Sequence, residues 1–193
     1  MSSTVAAILW THLFTPGHDA CRLIQMKEGF ALEGHSNFEH EGKPCSLGYR
    51  VHGDSAWQTR GARVSGFLGN ETVEIEISRT VNGDWLMNGT LQPGVQSQRD
   101  IDLGFTPATN LIALRRFALD IGAETDAPAA YILFPETKLS ELKMTAMHQH
   151  YRRIDREHYD YIGTNYHEVL TVSDIGFVLE YPGLWKGQLW QSS

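Results

Sequence analysis

The chain has 193 residues, of which 41% are hydrophobic and 20% charged, and its formal net charge is −7. This composition is typical of a globular protein, and the length favours a single domain over residues 1–193. No basic cluster is visible along the chain, which argues against a nucleic-acid backbone or an anionic membrane surface as the partner, because both leave a basic footprint.

The N-terminal region and the two cysteines indicate the compartment. Residues 1–10 lack a positively charged start, and their apolar run is too short for a signal peptide. No segment has the length of a membrane-spanning helix. Cys21 and Cys45 have neither metal-site spacing nor a disulfide framework, which favours free thiols over a disulfide. We therefore expect a cytoplasmic protein without a stable membrane anchor.

Short segments of alternating apolar and polar residues, separated by Gly, Asn, Asp and Pro, predict a mainly β protein. Many neighbouring segments are joined by a few turn residues, which favours antiparallel pairing. The connection from Gln92 to Thr109 is the least regular part of the chain. The predicted strands lie at about 22–28, 30–39, 46–52, 56–68, 71–79, 128–134, 142–154, 157–163, 165–172 and 175–181.

The segment that follows Glu71 predicts a hairpin and its register. Apolar residues at positions 73, 75 and 77 alternate with glutamates, as in a strand with one buried face. A two-residue turn at positions 82–83 would put a leucine and an asparagine on the apolar face. A three-residue loop, with Gly83 as its left-handed bulge residue, puts Trp85 and Met87 there instead. Because burial selects the register, we predict the bulged loop.

Residues 110–121 predict a helix of about three turns, with Asn110 as its N-cap and Gly122 at its C-terminal stop. Its polar sector holds Arg116 and Asp120, which are spaced as an (i, i+4) pair. The apolar face nearly surrounds the cylinder, which is typical of a buried helix, so we expect it inside the curvature of the sheet. The broad apolar face contains Leu111, Leu114, Phe117, Ala118 and Ile121.

Arg115 projects onto the apolar side of this helix, where a guanidinium needs an anion or several carbonyl groups. Two interpretations are open. The first is an internal ion pair with Asp100 or Asp102, which is the usual arrangement of buried charge. The second is a fixed cation at the bottom of a pocket that holds a ligand phosphate or carboxylate, and Arg116 is a further candidate for that contact.

The remaining polar residues do not predict a reaction. His148 and His150 would share one strand face, but a metal site needs further ligands, and no spacing selects them, so we predict no metal or other cofactor. The sequence contains no nucleophile elbow, phosphate-binding loop or dinucleotide fingerprint. A binding protein is therefore favoured over an enzyme that uses Asp100, Asp102 or a histidine as an acid–base group.

Several motifs resemble the putative glycolipid-binding family, a bacterial domain formerly of unknown function, over essentially the whole chain. The resemblance implies a spiral β-roll, in which a many-stranded antiparallel sheet wraps around one helix, and it implies binding of a glycolipid or similar lipid. The motifs are Trp57-Gln-Thr-Arg60, Gly83-Asp-Trp85, Asp100-Ile-Asp-Leu-Gly-Phe-Thr-Pro-Ala-Thr-Asn110, Leu114-Arg-Arg-Phe117, Gln149-His-Tyr151 and the run from Asp174 to Trp185, which contains Tyr181.

These motifs supply the candidate ligand-binding residues, which are Trp57, Arg60, Asp100, Asp102, Arg115, Arg116, Gln149, Tyr151 and Tyr181. Where the family usually carries Leu-Pro just before the helix, this chain has Ile112-Ala113, so its helix is expected to begin earlier. We predict an apolar cavity beside the helix, with Arg115 or Arg116 at an anionic head group of the amphiphile. The rival prediction is an interaction module with a filled core and an exposed contact surface. The oligomeric state is open.

Overall fold

The computed structural model describes residues 2–191. Within this range it contains seventeen strands, one α-helix and two 3-10 helices. Helix α1 spans Asn110–Phe117, and the 3-10 helices span Pro107–Thr109 and Leu139–Glu141. The strands are β1 Ser3–His12, β2 Gly17–Met26, β3 Gly29–His40, β4 Lys43–Gly53, β5 Thr59–Leu68, β6 Glu71–Arg79, β7 Trp85–Met87, β8 Thr90–Gln92, β9 Asp100–Leu103, β10 Glu124–Asp126, β11 Ala129–Ile132, β12 Thr145–Met147, β13 His150–Arg153, β14 His158–Gly163, β15 Tyr166–Val172, β16 Val178–Tyr181 and β17 Trp185–Gln191.

Fourteen strands form one large antiparallel sheet in the order β10-β13-β14-β15-β16-β17-β1-β2-β3-β4-β5-β6-β7-β8. The first and last strands pair in the middle of this order, with Trp10 opposite Gly187. The sheet is open and curves around α1, which confirms the predicted mainly β fold. Strands β12, β11 and β9 form a second, small sheet that the sequence did not predict, and its β9–β11 pair is parallel.

The inner face of the large sheet and the first turns of α1 form the core. Strand β6 alternates buried and exposed residues, as predicted. The bulged hairpin loop is also confirmed, since the Thr80 amide donates to the Asp84 carbonyl at 2.8 Å. Ile77 consequently lies opposite Met87, and Trp85 is completely buried. The predicted burial of the helix holds for its residues 110–114.

The helix begins within a longer helical unit and ends earlier than predicted. Thr106 caps the 3-10 helix Pro107–Thr109 by accepting a hydrogen bond from the Ala108 amide at 3.1 Å, and α1 follows directly. At the other end, Ala118 adopts a left-handed conformation with φ 44°. The predicted stop at Gly122 and the predicted Arg116–Asp120 pair are therefore wrong.

Contacts with β13 explain the early end of α1. The Gly122 amide donates to the Arg153 carbonyl at 2.7 Å, and the Arg153 amide donates to the Ala123 carbonyl at 2.9 Å. The Arg153 guanidinium also donates to the Leu119 carbonyl at 2.8 Å. These bonds tie residues 119–123 to β13, and a turn over residues 120–123 is closed by the Ala123 amide, which donates to the Asp120 carbonyl at 3.0 Å. Ile121, which was predicted on the apolar face, lies in this turn and is 65% exposed.

Candidate functional site

Two clefts lie at the two ends of α1. The first, here called the tyrosine cavity, has a volume of about 160 Å³ at the N-terminal end of the helix. The second, here called the arginine cleft, has a volume of about 340 Å³ at the C-terminal end. The middle of the helix packs into the core. The apolar cavity predicted beside the helix stays a prediction, whereas these two clefts lie at the helix ends. The tyrosine cavity is defined by Asp102, Asn110, Tyr131, Tyr161, Tyr166 and Tyr181.

Three neighbouring strands of the large sheet supply the aromatic wall of the tyrosine cavity. Tyr161 on β14, Tyr166 on β15 and Tyr181 on β16 form a cluster, in which the ring centroids of Tyr166 and Tyr181 are 4.8 Å apart. The Tyr166 hydroxyl donates to the Pro182 carbonyl at 2.8 Å. Burial raises the pKa of Tyr161 and Tyr181, so their hydroxyls stay protonated and can serve a ligand as hydrogen-bond donors.

Asp102 places a carboxylate in the same cavity. Its oxygens accept hydrogen bonds from Gln149 Nε2 at 2.5 Å and from Thr109 Oγ1 at 3.3 Å. Burial raises the pKa of Asp102 to about 6, although these two bonds oppose the shift. Next to it, Asn110 Nδ2 donates to the Tyr151 hydroxyl at 2.7 Å. The cavity therefore offers fixed donors and acceptors against aromatic rings.

A second groove, lined by both apolar and polar side chains, adjoins the tyrosine cavity. Its volume is about 400 Å³, and it shares Gly104, Leu184 and Trp185 with the tyrosine cavity. Phe14, in the turn between β1 and β2, projects at its edge and is 86% exposed. The cavity and the groove thus lie side by side. The groove is defined by the apolar residues Phe14, Phe38, Phe105, Pro135, Leu184 and Trp185 and by the polar residues His12, Thr15, Glu39, His40, Glu41 and Glu136.

The structure separates the predicted site residues into distinct places. Asp102 and Tyr181 line the tyrosine cavity, and Gln149 and Tyr151 lie behind it as partners of its lining residues. Arg60 forms an ion pair with Asp54 at 2.6 Å, outside both clefts. The remaining four predicted residues lie around the C-terminal half of α1.

The predicted burial of Arg115 is wrong. Arg115 is exposed in the arginine cleft, where its guanidinium lies 4.9 Å from the centre of the Trp57 ring. The internal ion pair exists, but its cation is the neighbouring Arg116. Arg116 Nη2 donates to Asp100 Oδ2 at 2.6 Å, and Nε donates to Oδ1 at 2.9 Å.

Sequence reasoning missed several cavity residues, including Asn110, Tyr131, Tyr161 and Tyr166. These tyrosines lie on separate strands, and the pairing of β15 with β14 and with β16 decides which rings meet. The groove aromatics were also missed, because they come from strands and loops far apart in the sequence, at positions 14, 38, 105 and 185. No sequence signal marks such a contact.

Contrary to the sequence prediction, His148 and His150 do not lie on one continuous strand. The predicted strand 142–154 breaks at positions 148–149, so β12 and β13 belong to different sheets. His150 Nδ1 lies 2.8 Å from Asp126 Oδ1, and His148 lies 3.4 Å from the same oxygen. Across residues 2–191, no group of three or more His, Cys, Asp or Glu side chains could hold a metal ion. In the same range, no helix has the length and apolar character needed to cross a bilayer.

Comparisons with known proteins give two matches. A family model described as "Putative glycolipid-binding" matches residues 7–187. A crystal structure described as a DUF1089 family protein from Pseudomonas aeruginosa is 28% identical to this chain, with a TM-score of 0.74. That similarity covers 87% of this chain and 90% of the other. The comparison with curated proteins gave no match.

Proposed function

This chain belongs to the family described as putative glycolipid-binding, and we propose that it binds a glycolipid or a similar amphiphile at the N-terminal end of α1. The polar head would enter the tyrosine cavity, and the apolar chain would lie in the adjoining groove. The observation that carries the proposal is the wall shared by the two spaces, which is formed by Gly104, Leu184 and Trp185. One ligand can place its polar part against Asp102 and the tyrosine hydroxyls of the cavity and its apolar part against the phenylalanines of the groove.

The chemistry of each space supports this assignment. Aromatic faces and neutral hydroxyls suit a sugar ring, while the Asp102 carboxylate can accept hydrogen bonds from sugar hydroxyls. The cavity, at about 160 Å³, is smaller than the roughly 300–1,000 Å³ of ordinary ligand sites. It therefore suits a head group rather than a whole ligand. The groove, at about 400 Å³, supplies the remaining volume.

The proposed compartment is the cytoplasm, so the ligand would be an amphiphile available there. Cys21 and Cys45 are both buried and form no disulfide, as expected for thiols in a reducing compartment. Native mass spectrometry of protein purified from cells, followed by lipid extraction, tests for such a ligand. Absence of a co-purifying amphiphile, together with no thermal shift from a panel of alkyl glycosides, would contradict the proposal.

Asp102→Asn is expected to weaken binding of octyl glucoside about tenfold or more, because it replaces a charge-assisted acceptor by a neutral one. Since the pKa of Asp102 is raised to about 6, the affinity of the unmodified protein should rise as the pH increases through 6 and the carboxylate forms. The variant should lack this dependence. Isothermal titration calorimetry between pH 5 and 8 measures both effects, with the exposed Asp126→Asn as the matched control.

Leu184→Asp is expected to abolish the contribution of the alkyl chain without removing the head-group contacts. The new carboxylate would lie beside an apolar chain, where an unpaired charge is unfavourable. Lengthening the alkyl glycoside from six to ten carbons should then stop improving affinity, whereas it should still do so in Leu91→Asp. Leu91 is a suitable control because it is 52% exposed on the edge strand β8. Equal chain-length dependence in both variants would exclude the groove.

A second candidate function is an enzyme that acts on the same amphiphile. A carboxyl group with a pKa near 6 in a cavity could donate and accept protons near neutral pH, and Asp102 has this property. Asp100 does not line this cavity, and Arg116 occupies both of its oxygens. Incubation of alkyl glycosides with the protein, followed by product analysis, separates the two functions. Turnover that disappears in Asp102→Asn would favour the enzyme.

A further inference from the structure

We propose that the arginine cleft is a second binding site, which takes a phosphate monoester or a similar dianionic oxyanion. This cleft lies at the opposite end of α1 from the tyrosine cavity, and the proposal does not depend on the amphiphile. Its volume of about 340 Å³ accommodates a small phosphate ester. The residues that carry the argument are Trp57, Arg115, Arg153, Arg156, Tyr159 and Asp174.

The cleft concentrates positive charge on an acidic protein. Three guanidinium groups line it, from Arg115, Arg153 and Arg156, against one carboxylate, from Asp174. Asp174 is paired with Arg156, whose Nη2 donates to Oδ2 at 2.6 Å. Two cationic charges therefore remain unbalanced within the cleft, although the whole chain has a net charge of −7. A concave surface of one sign attracts ligands of the opposite charge.

Neither of the other two arginines has a carboxylate partner among residues 2–191. The Arg153 guanidinium donates to three main-chain carbonyls, those of Leu119 at 2.8 Å, Asp155 at 3.1 Å and Arg156 at 3.3 Å. These bonds fix its position but leave its charge intact. Arg115 has a ring contact in place of an ion pair. Arginine recognises phosphate through two parallel N–H donors, so unneutralised guanidinium groups in fixed positions suit an oxyanion.

The Trp57 ring contacts the Arg115 guanidinium, and hydrogen bonds within its loop fix the position of that ring. Trp57 has φ 60°, a left-handed conformation that is unusual for a bulky side chain. Asp54 stabilises the loop by accepting hydrogen bonds from the amides of Ala56 and Gln58, both at 3.0 Å. Arg60 in turn holds the Asp54 carboxylate at 2.6 Å. The motif Trp57-Gln-Thr-Arg60 therefore supports this loop through its last residue.

The Arg115 side chain lies between an aromatic ring and a glycine. On one side, the Trp57 ring stacks on Phe30 with a centroid distance of 4.4 Å and also faces the guanidinium. On the other side, a Cβ added at Gly176 would lie 3.3 Å from both Cγ and Cδ of Arg115. A cation near the C-terminus of a helix also stabilises that helix. Helix stabilisation can explain why position 115 carries an arginine. It does not explain Arg153 and Arg156, which come from another part of the chain and also line the cleft.

Titration of the full chain with glycerol 3-phosphate at pH 8 and constant ionic strength tests the site. We expect saturable binding by calorimetry, with glycerol as the uncharged comparison. Arg115→Gln should weaken binding at least tenfold, whereas Arg63→Gln should change it less than twofold. Arg63, on strand β5, is the matched control because its side chain is 64% exposed and forms an ion pair with Glu74. Equal affinity in Arg115→Gln and the unmodified protein would overturn the proposal.

Asp174→Asn gives a test in the opposite direction. This substitution removes the carboxylate that competes for Arg156 and leaves the three arginines in place. Binding of glycerol 3-phosphate should therefore become several times tighter, an increase that damage to the fold would not produce. Unchanged or weaker binding in a variant that melts like the unmodified protein would contradict the assigned charge balance.

The phosphate could belong to a soluble ester or to a lipid head group, and a sedimentation assay distinguishes these sources. Vesicles of phosphatidylcholine with phosphatidic acid are compared with vesicles of phosphatidylcholine alone. Arg115-dependent binding to the acidic vesicles assigns the lipid source, and binding to glycerol 3-phosphate without vesicle binding assigns a soluble ester. If neither probe binds in an Arg115-dependent manner, the cleft is not an oxyanion site.

Discussion

Replacing Arg116 by leucine is expected to lower the free energy of unfolding by about 3–5 kcal/mol, because it leaves a buried carboxylate without its partner. The Asp100 side chain is 3% exposed, and that of Arg116 is 15% exposed. Two guanidinium nitrogens donate to the two carboxylate oxygens at 2.9 Å and 2.6 Å. Since a typical domain has a total stability of roughly 5–15 kcal/mol, the loss would be a large part of it.

The neighbouring arginine provides the control. Arg115→Leu removes an exposed guanidinium without a carboxylate partner in the described chain, so its effect should stay within about 0.5–1 kcal/mol. Urea unfolding at pH 7 measures both variants. The double variant Asp100→Leu with Arg116→Leu should recover much of the loss, because an apolar pair of similar volume can replace a buried ion pair. Equal destabilisation by Arg115→Leu and Arg116→Leu would contradict the assignment of the internal pair.

This difference between adjacent arginines shows where helical periodicity stops being informative. The helical wheel gives the angle between residues 115 and 116, but it does not give the end of the helix. The wheel predicted a buried Arg115 because it counted residues up to position 121 as part of the apolar helical face. Because α1 ends at Phe117, Arg115 lies in the open cleft beyond the helix. Arg116 instead pairs with Asp100, the first residue of β9.

The strands could be predicted where each has one apolar and one polar face. Strand β6 follows this rule, and its bounds match the prediction. Strand β1 does not, because the outward-facing Ala7 and Leu9 are apolar like the inward-facing Ile8 and Trp10, so no alternation is visible. Strand β9 was not predicted, because its two aspartates are typical of a loop. In the fold, both carboxylates instead accept hydrogen bonds from other parts of the chain.

The candidate sites depend on information that a single sequence lacks. The arginine cleft joins residues near positions 57, 115, 153 and 174, which come from a loop, a helix and two separate hairpins. Local patterns predict secondary structure, whereas the contacts between distant strands depend on register and curvature. The family motifs contained many of these residues, but they did not divide them between the two clefts.

Asp19 gives the second large expected effect, through the pH dependence of stability. The side chain is completely buried on β2. Its Oδ1 accepts a hydrogen bond from the Tyr49 hydroxyl at 2.8 Å, while Oδ2 has no hydrogen-bond partner among residues 2–191. Burial raises the pKa of Asp19 from 3.8 to about 6, although the hydrogen bonds oppose the shift. The folded protein therefore favours the protonated acid between these two values.

The sign of the effect follows from this difference in pKa. Well below pH 3.8 the group is protonated in both the folded and unfolded states and has no differential effect. Well above pH 6 it is ionised in both, and the folded state bears the full cost of burying the charge. A shift of this size corresponds to about 3 kcal/mol. Asp19→Asn has no such charge, so relative to the unmodified protein it should gain about 2 kcal/mol between pH 4 and pH 7.5.

Urea unfolding of both proteins at each pH measures this gain, and taking the difference at one pH cancels the other titrating groups. Asp126→Asn should show the opposite trend, because a hydrogen bond with His150 lowers the pKa of Asp126 and stabilises its charged form.

The Tyr49 hydroxyl also lies 3.1 Å from Thr106, which caps the 3-10 helix and lines the tyrosine cavity. If the gain is absent, Asp19 must be neutral or solvated at pH 7.5. In that case the network of Asp19, Tyr49 and Thr106 would anchor the cavity wall without a buried charge.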